Sequence, residues 1–147
     1  MGMLDLFWLH TFAGGLIADR SRMSRMSNEH DWPDELDALH AAPKYHGVLF
    51  ENEFVRVLDT RIPAGERVPL HTHRWPSALY ILSWSDFLRR DAEGVVLVDS
   101  RTLEKMDPES AVWLEPLPPH TLENIGAREF RAISVEVKRK ESAGPKG

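Results

Sequence analysis

Pro63, Gly65, Pro69 and Pro76 punctuate one short stretch of this chain. A helix cannot run through it, because an interior proline removes a backbone N–H and clashes with the preceding turn. What remains is a short strand, entered from a turn at Pro63-Ala64-Gly65-Glu66 and ended at Arg74-Trp75-Pro76, since Pro76 cannot donate to a ladder. Successive strand residues point to opposite faces, so His71 and His73 share a face and Thr72 takes the other. Two imidazoles so placed can meet one ion. A third must come from elsewhere, and His120 is the strongest candidate. It follows Pro116, Pro118 and Pro119, whose fixed dihedrals hold the imidazole in one place. Three His with no Cys is a ligand set for a first-row divalent metal with open coordination positions.

The surrounding chain reads as short strands broken by turns. Residues 53–62 alternate Phe54, Arg56, Leu58 and Thr60 against Val55, Val57, Asp59 and Arg61, and neither set is wholly apolar. The run Ala78 to Leu82 is apolar throughout, the mark of a strand covered on both faces, as at a subunit contact. A structural hairpin follows, Arg89-Arg90-Asp91 leading through a Glu93-Gly94 turn to Val95–Val98. Ser110–Leu114 is a further strand, in which Trp113 reads as core in preference to pocket wall. Glu129–Lys138 closes the set. There Ile133, Val135 and Val137 read as the core face, with Phe130, Ala132, Ser134 and Glu136 opposite, and Glu136 with Arg56 as a solvated rim pair.

Two spacings add to this reading. Gly65, five residues, His71, one residue and His73 resemble the first half of the first cupin motif; His120, three residues and Asn124 resemble the end of the second. The resemblance runs from about Val48 to Lys138. It implies an all-β fold, a single cupin-type jelly-roll barrel with a short N-terminal helical extension, holding a metal inside the barrel. Carried over residue by residue, it implies His71, His73 and His120 as metal ligands. The first motif normally continues with a Glu ligand where this chain has Ser77 and Ala78, and the second carries a Gly where this chain has Leu117. A three-His site is similar to that of thiol and diketone-cleaving dioxygenases among cupins, although members that lose the Glu include some that bind no metal. The implied cofactor is a divalent ion, Fe, Zn, Mn or Ni. Family members also pair through a sheet edge, which implies a homodimer.

A length of 147 residues is one domain's worth, and 42% hydrophobic residues supply a single modest core. The expected organisation is an extension over 1–27, disordered or helical, a short helix and linker over 28–46, the barrel over 47–138 and a tail over 139–147. The apolar piece Leu4 to Ala18 is interrupted by Asp5 and His10, too short and polar for a membrane span and without the basic start of a secretory signal. It reads as an extension outside the barrel, or as an over-long gene start with Met23 or Met26 as the first residue. Pro33 and the acids around it open a short helix near Asp31 or Trp32. His40 and His46 read as surface or capping residues, having no ligand neighbour at strand spacing.

A net charge of −5 with no clustered basic face argues against a nucleic-acid partner, and no stretch argues for a membrane. The absence of cysteine removes disulfides, thiolate nucleophiles and thiolate ligands; the default compartment is the cytoplasm. Neutral imidazoles leave the ion's full charge on the site, which favours a small oxygen-bearing ligand, with Arg56, Arg67 and Arg74 as candidates to grip a carboxylate. Two functional classes follow: a metal-dependent, dioxygenase-like enzyme, or a non-catalytic barrel that binds a small molecule or a partner, with or without metal.

Overall fold

The structure, a computed structural model, describes residues 32–104 and 106–138. The expected extension over 1–27, the first residues of the 28–46 segment and the 139–147 tail lie outside the described residues. The first described element is a 3-10 turn, Asp34–Leu36, followed by a single-turn helix α1, Ala38–Ala41. The expected helix is thus divided at Asp37. Its backbone leaves the helical region (φ −54°, ψ 140°), and its carboxylate accepts the Leu39 N–H at 3.1 Å as an N-cap.

Among the described residues nine strands follow: β1 His46–Glu51, β2 Val55–Ile62, β3 Arg67–His73, β4 Ser77–Ser83, β5 Phe87–Asp91, β6 Val96–Asp99, β7 Ala111–Leu114, β8 Leu117–Asn124 and β9 Phe130–Val137. They form two antiparallel sheets, β1-β2-β9-β4-β7 and β3-β8-β5-β6. This is the expected all-β jelly roll. The turn into β3 forms as read: Glu66 N–H donates to Pro63 O at 3.1 Å, and Gly65 takes φ +79°, the positive value a type II turn needs at its third residue. No helix among the described residues is long and apolar enough to cross a membrane.

The core lies between the sheets, where Leu58, Val68, Ile81 and Ala132 are essentially fully buried. Trp84, Phe87 and Phe130 pack ring against ring at centroid separations of 5.7–6.1 Å. Asn124, of the second motif, is wholly buried. Its Nδ2 donates to Ile62 O at 2.8 Å and Arg128 O at 2.7 Å, while its Oδ1 accepts from Ser85 Oγ at 2.7 Å and Gly126 N at 3.0 Å. Every hydrogen-bonding capacity of the amide is used. Asn124 therefore ties the turn before β9 to the end of β2 and the residue after Trp84.

Three expectations about sidedness are corrected. On β9 the inward set is Phe130, Ala132, Ser134 and Glu136, and Ile133, Val135 and Val137 face outward. The outside of the five-stranded sheet is itself apolar: the register aligns Phe50, Val57, Val135, Ala78 and Trp113 in one row across all five strands. The hydrophobic alternation of β9 therefore marks that outer row, while the polar set serves the interior. Trp113 belongs to the row, 44% exposed, its indole N–H donating to Glu115 at 2.9 Å; it is neither core nor pocket wall. On β4, Ala78 and Tyr80 are exposed, so its outer face is uncovered by the described residues.

Candidate metal centre

β3 and β8 pair so that His71 lies opposite His120, and His73 follows two residues along β3. The three histidines expected from sequence are thereby brought onto the inner face of one sheet. The ring centroids of His71 and His120 are 4.3 Å apart, those of His71 and His73 5.1 Å, and those of His73 and His120 5.9 Å.

A fourth ring comes from the opposite sheet. His46 opens β1, is 5% exposed, and stands 5.1 Å from the His71 ring and 5.2 Å from that of His73. Ring nitrogens of His46, His71 and His73 lie within 4.8 Å of one another, close enough to hold one metal ion. The reading of His46 as a surface or capping residue is corrected. Its place depends on one sheet folding over the other, which no spacing along the chain encodes. The one local hint is a histidine two residues before the apolar run Val48-Leu49-Phe50. His40, by contrast, is exposed as expected.

The Nδ1 atom of each ring faces an oxygen acceptor. His46 meets Ala42 O at 3.0 Å, His71 meets Pro69 O at 2.7 Å, His120 meets Pro118 O at 2.7 Å, and His73 meets Glu136 Oε1 at 2.8 Å. Three of these acceptors are carbonyls, which cannot donate, so Nδ1 carries the proton and Nε2 keeps its lone pair. An outer partner that fixes the tautomer in this way is how metal-binding imidazoles are oriented. Burial lowers the His46 pKa to about 4, with the His73 ring adding to the shift. Burial, then the neighbouring rings, holds His71 and His120 well below the ordinary histidine range. These rings are neutral at physiological pH, as ligands must be. The donor set of His46, His71 and His73 therefore fits a divalent first-row ion.

Behind His73 lies a buried charge network. Glu136, with no exposed surface, accepts from His73 through one oxygen and from Arg56 Nε at 2.5 Å through the other. Arg56 in turn donates both terminal nitrogens to Asp37, at 3.0 and 3.1 Å. Burial works to raise the Glu136 pKa, but the His73 and Arg56 contacts outweigh it and keep the carboxylate ionised. The expected solvated rim pair is thus a buried pair. β9 sets Glu136 directly opposite Ser77, and its carboxylate reaches the histidine cluster through His73.

The arginines nominated to grip a carboxylate have other partners. Arg56 is held by Asp37 and Glu136, Arg67 by Glu123 at 3.3 Å, and Arg74 by Asp34 at 2.7 Å. Among the described residues Arg89, placed by its sequence in a structural hairpin, lines the cavity beside the histidines. The cavity measures about 80 Å³, several times what one water requires. Its walls are mostly apolar, including Trp84, Phe87 and Phe130.

The two-sheet antiparallel barrel has a counterpart of the same fold among solved structures. No protein-family model matches the sequence, and no curated protein matches it. Among solved structures, a cupin domain from Bordetella pertussis Tohama I is similar over 64% of this chain and 92% of its own, with a TM-score of 0.52 and 21% identity. An RmlC-like cupin with a double-stranded β-helix fold from Methanocaldococcus jannaschii matches over 63% and 77%, with a TM-score of 0.46 and 15% identity. The polyketide cyclase RemF from Streptomyces resistomycificus matches over 69% and 70%, with a TM-score of 0.47 and 18% identity. The chain thus has the fold of a small cupin domain, as the first of these likenesses shows.

Proposed function

We propose that this cupin binds one divalent metal ion through His46, His71, His73 and His120, and that the ion activates a small oxygen-bearing substrate in the adjoining cavity, in the manner of a dioxygenase-like enzyme. The observation that carries the reading is the clustering of His46, His71 and His73, whose ring nitrogens lie within 4.8 Å of one another, with the His120 ring centroid 4.3 Å from that of His71. These histidines would hold the ion, and bound there iron, manganese or nickel would supply Lewis acidity or redox chemistry to a substrate in the cavity. The chain's own residues do the rest. Glu136 and the three carbonyls orient the rings, and the apolar walls exclude water. A stoichiometric metal content that falls on His71→Ala or His120→Ala supports the reading; retention of full metal content by both variants sinks it.

The count of four nitrogens also favours a second reading. A tetrahedral zinc ion would be saturated by them, leaving a barrel that binds a small molecule without chemistry on it. Loading with zinc and with iron(II), and following oxygen consumption with candidate substrates, separates the two.

We further place the protein in the cytoplasm as a homodimer, with the outer face of the five-stranded sheet as its interface. The apolar row from Phe50 to Trp113 supports this, because an apolar sheet face needs cover. The other sheet carries Arg67, Glu123 and Arg90 as an ion cluster at its surface. Sedimentation should show a dimer that Trp113→Lys dissociates; a wild-type monomer contradicts it.

A further inference from the structure

Residues 34–42 precede the barrel, yet they reach two of the clustered rings by separate routes. At the start of α1, Asp37 is 6% exposed and its carboxylate takes both terminal nitrogens of Arg56, at 3.0 and 3.1 Å. Arg56 Nε donates to Glu136, which also accepts from His73 Nδ1. At the end of α1, Ala42 O faces His46 Nδ1 at 3.0 Å. A third tie runs through the backbone: Asp37 forms a parallel bridge with Thr72, the wholly buried residue between His71 and His73. The two rings reached in this way belong to different sheets, His46 to that of β1 and His73 to that of β3.

A helix of one turn has little stability of its own, because the cost of nucleating it is not returned over so few residues. Its contacts hold it in place. Ala38 and Ala42, four residues apart and so on one side of the turn, are buried. The Asp37 carboxylate that forks with Arg56 also accepts the Leu39 N–H at 3.1 Å, so one group both starts the helix carrying Ala42 O and anchors the chain leading to His73. His71 and His120 are supported otherwise, by Pro69 O and Pro118 O of their own strands.

We propose that segment 34–42 is a clasp on the metal centre and that Asp37 is its positioning residue, orienting His46 and His73 together. The proposal rests on the metal reading above and extends control of that site to a segment outside both sheets. Orienting a ligating ring through an outer partner is worth roughly 10–100-fold in metal affinity, and here one carboxylate governs two such partners.

The test is ring-nitrogen NMR on the full chain, metal-free and labelled in histidine, followed by zinc titration. In wild type each ring should carry its proton on Nδ1. Asp37→Ala removes cap and fork together, so His46 and His73 should move toward mixed tautomers while His71 and His120 hold. Asp37→Asn keeps a cap oxygen but turns an NH2 toward Arg56, so His73 should move and His46 should hold. Zinc affinity of Asp37→Ala should fall roughly tenfold or more. Asn124→Ala, which loosens the barrel elsewhere, should leave the rings and the zinc affinity as they were. An Asp37→Ala protein of native circular dichroism with wild-type His46 and His73 resonances overturns the proposal. So does one in which all four rings shift alike, the mark of general loosening, or one with unchanged zinc affinity. If Asp37→Ala does not fold, Asp37→Asn decides, and an unmoved His73 overturns the clasp. Protein that takes up no zinc contradicts the metal reading alone, because the metal-free spectra still test Asp37.

Discussion

Replacing Glu136 by Gln changes one atom, and the structure says it cannot be accommodated. The side chain has no exposed surface, and its two oxygens accept from His73 Nδ1 and from Arg56 Nε. A glutamine has one oxygen and one NH2 to offer. With the oxygen toward His73, the NH2 confronts Arg56 Nε–H, donor against donor, and the guanidinium keeps only Asp37. With the amide reversed, the NH2 faces His73 Nδ1 and drives the ring to the other tautomer, moving the proton onto Nε2 and withdrawing its lone pair. Breaking one partner of a buried pair costs about 3–5 kcal/mol. For a chain of this size that is a fall in Tm of roughly 6–20 °C. Loss of an outer partner of a ligating histidine also costs roughly 10–100-fold in metal affinity. Thermal melts by circular dichroism and zinc titrations on wild type and Glu136→Gln measure both. Glu123→Gln is the control: its carboxylate pairs with Arg67 and Arg90 but is about a third exposed, so the loss should stay below about 1 kcal/mol. A Glu136→Gln protein that melts within about 2 °C of wild type, with unchanged zinc affinity, would refute the buried network.

Other outcomes follow from the same contacts. In metal-free protein the lowered pKa of His46 means that the unfolded chain binds more protons between pH 6.5 and about 4. The stabilising contribution is therefore complete above pH 6.5 and lost as pH falls toward 4, amounting to about 3 kcal/mol for this ring. Urea unfolding at stepped pH should show the decline, and His46→Phe should flatten part of it. Asn124→Ala strands Ile62 O and Arg128 O and should cost roughly 2–4 kcal/mol by the same assay, without altering metal stoichiometry. Gly126→Ala would place its Cβ 2.1 Å from Ser85 Oγ and 2.8 Å from Asp86 N, so it should cost about 1–3 kcal/mol, read as a lowered urea midpoint.

What the sequence disclosed about this molecule was what short-range chemistry encodes. Strand alternation puts His71 and His73 on one face, and the Pro63–Glu66 turn forms where its glycine allows. The motif spacing also led to the barrel and to His120. Three features were not legible, each for a physical reason. His46 reaches the cluster from the other sheet, across a packing that local pattern does not specify. The sidedness of β9 was inverted because both of its faces carry apolar residues, one in the core and one in the outer row, and alternation alone cannot say which is which. The importance of Glu136 depends on burial, and a charged residue in a strand carries no mark of it in the sequence.

X-ray absorption on protein loaded with zinc to saturation tests most directly whether four imidazoles meet one ion. It should find one zinc per chain with four nitrogen neighbours from histidine, reduced to three in His46→Ala. Protein that takes up no zinc, or a first shell in His46→Ala identical to that of wild type, would contradict it.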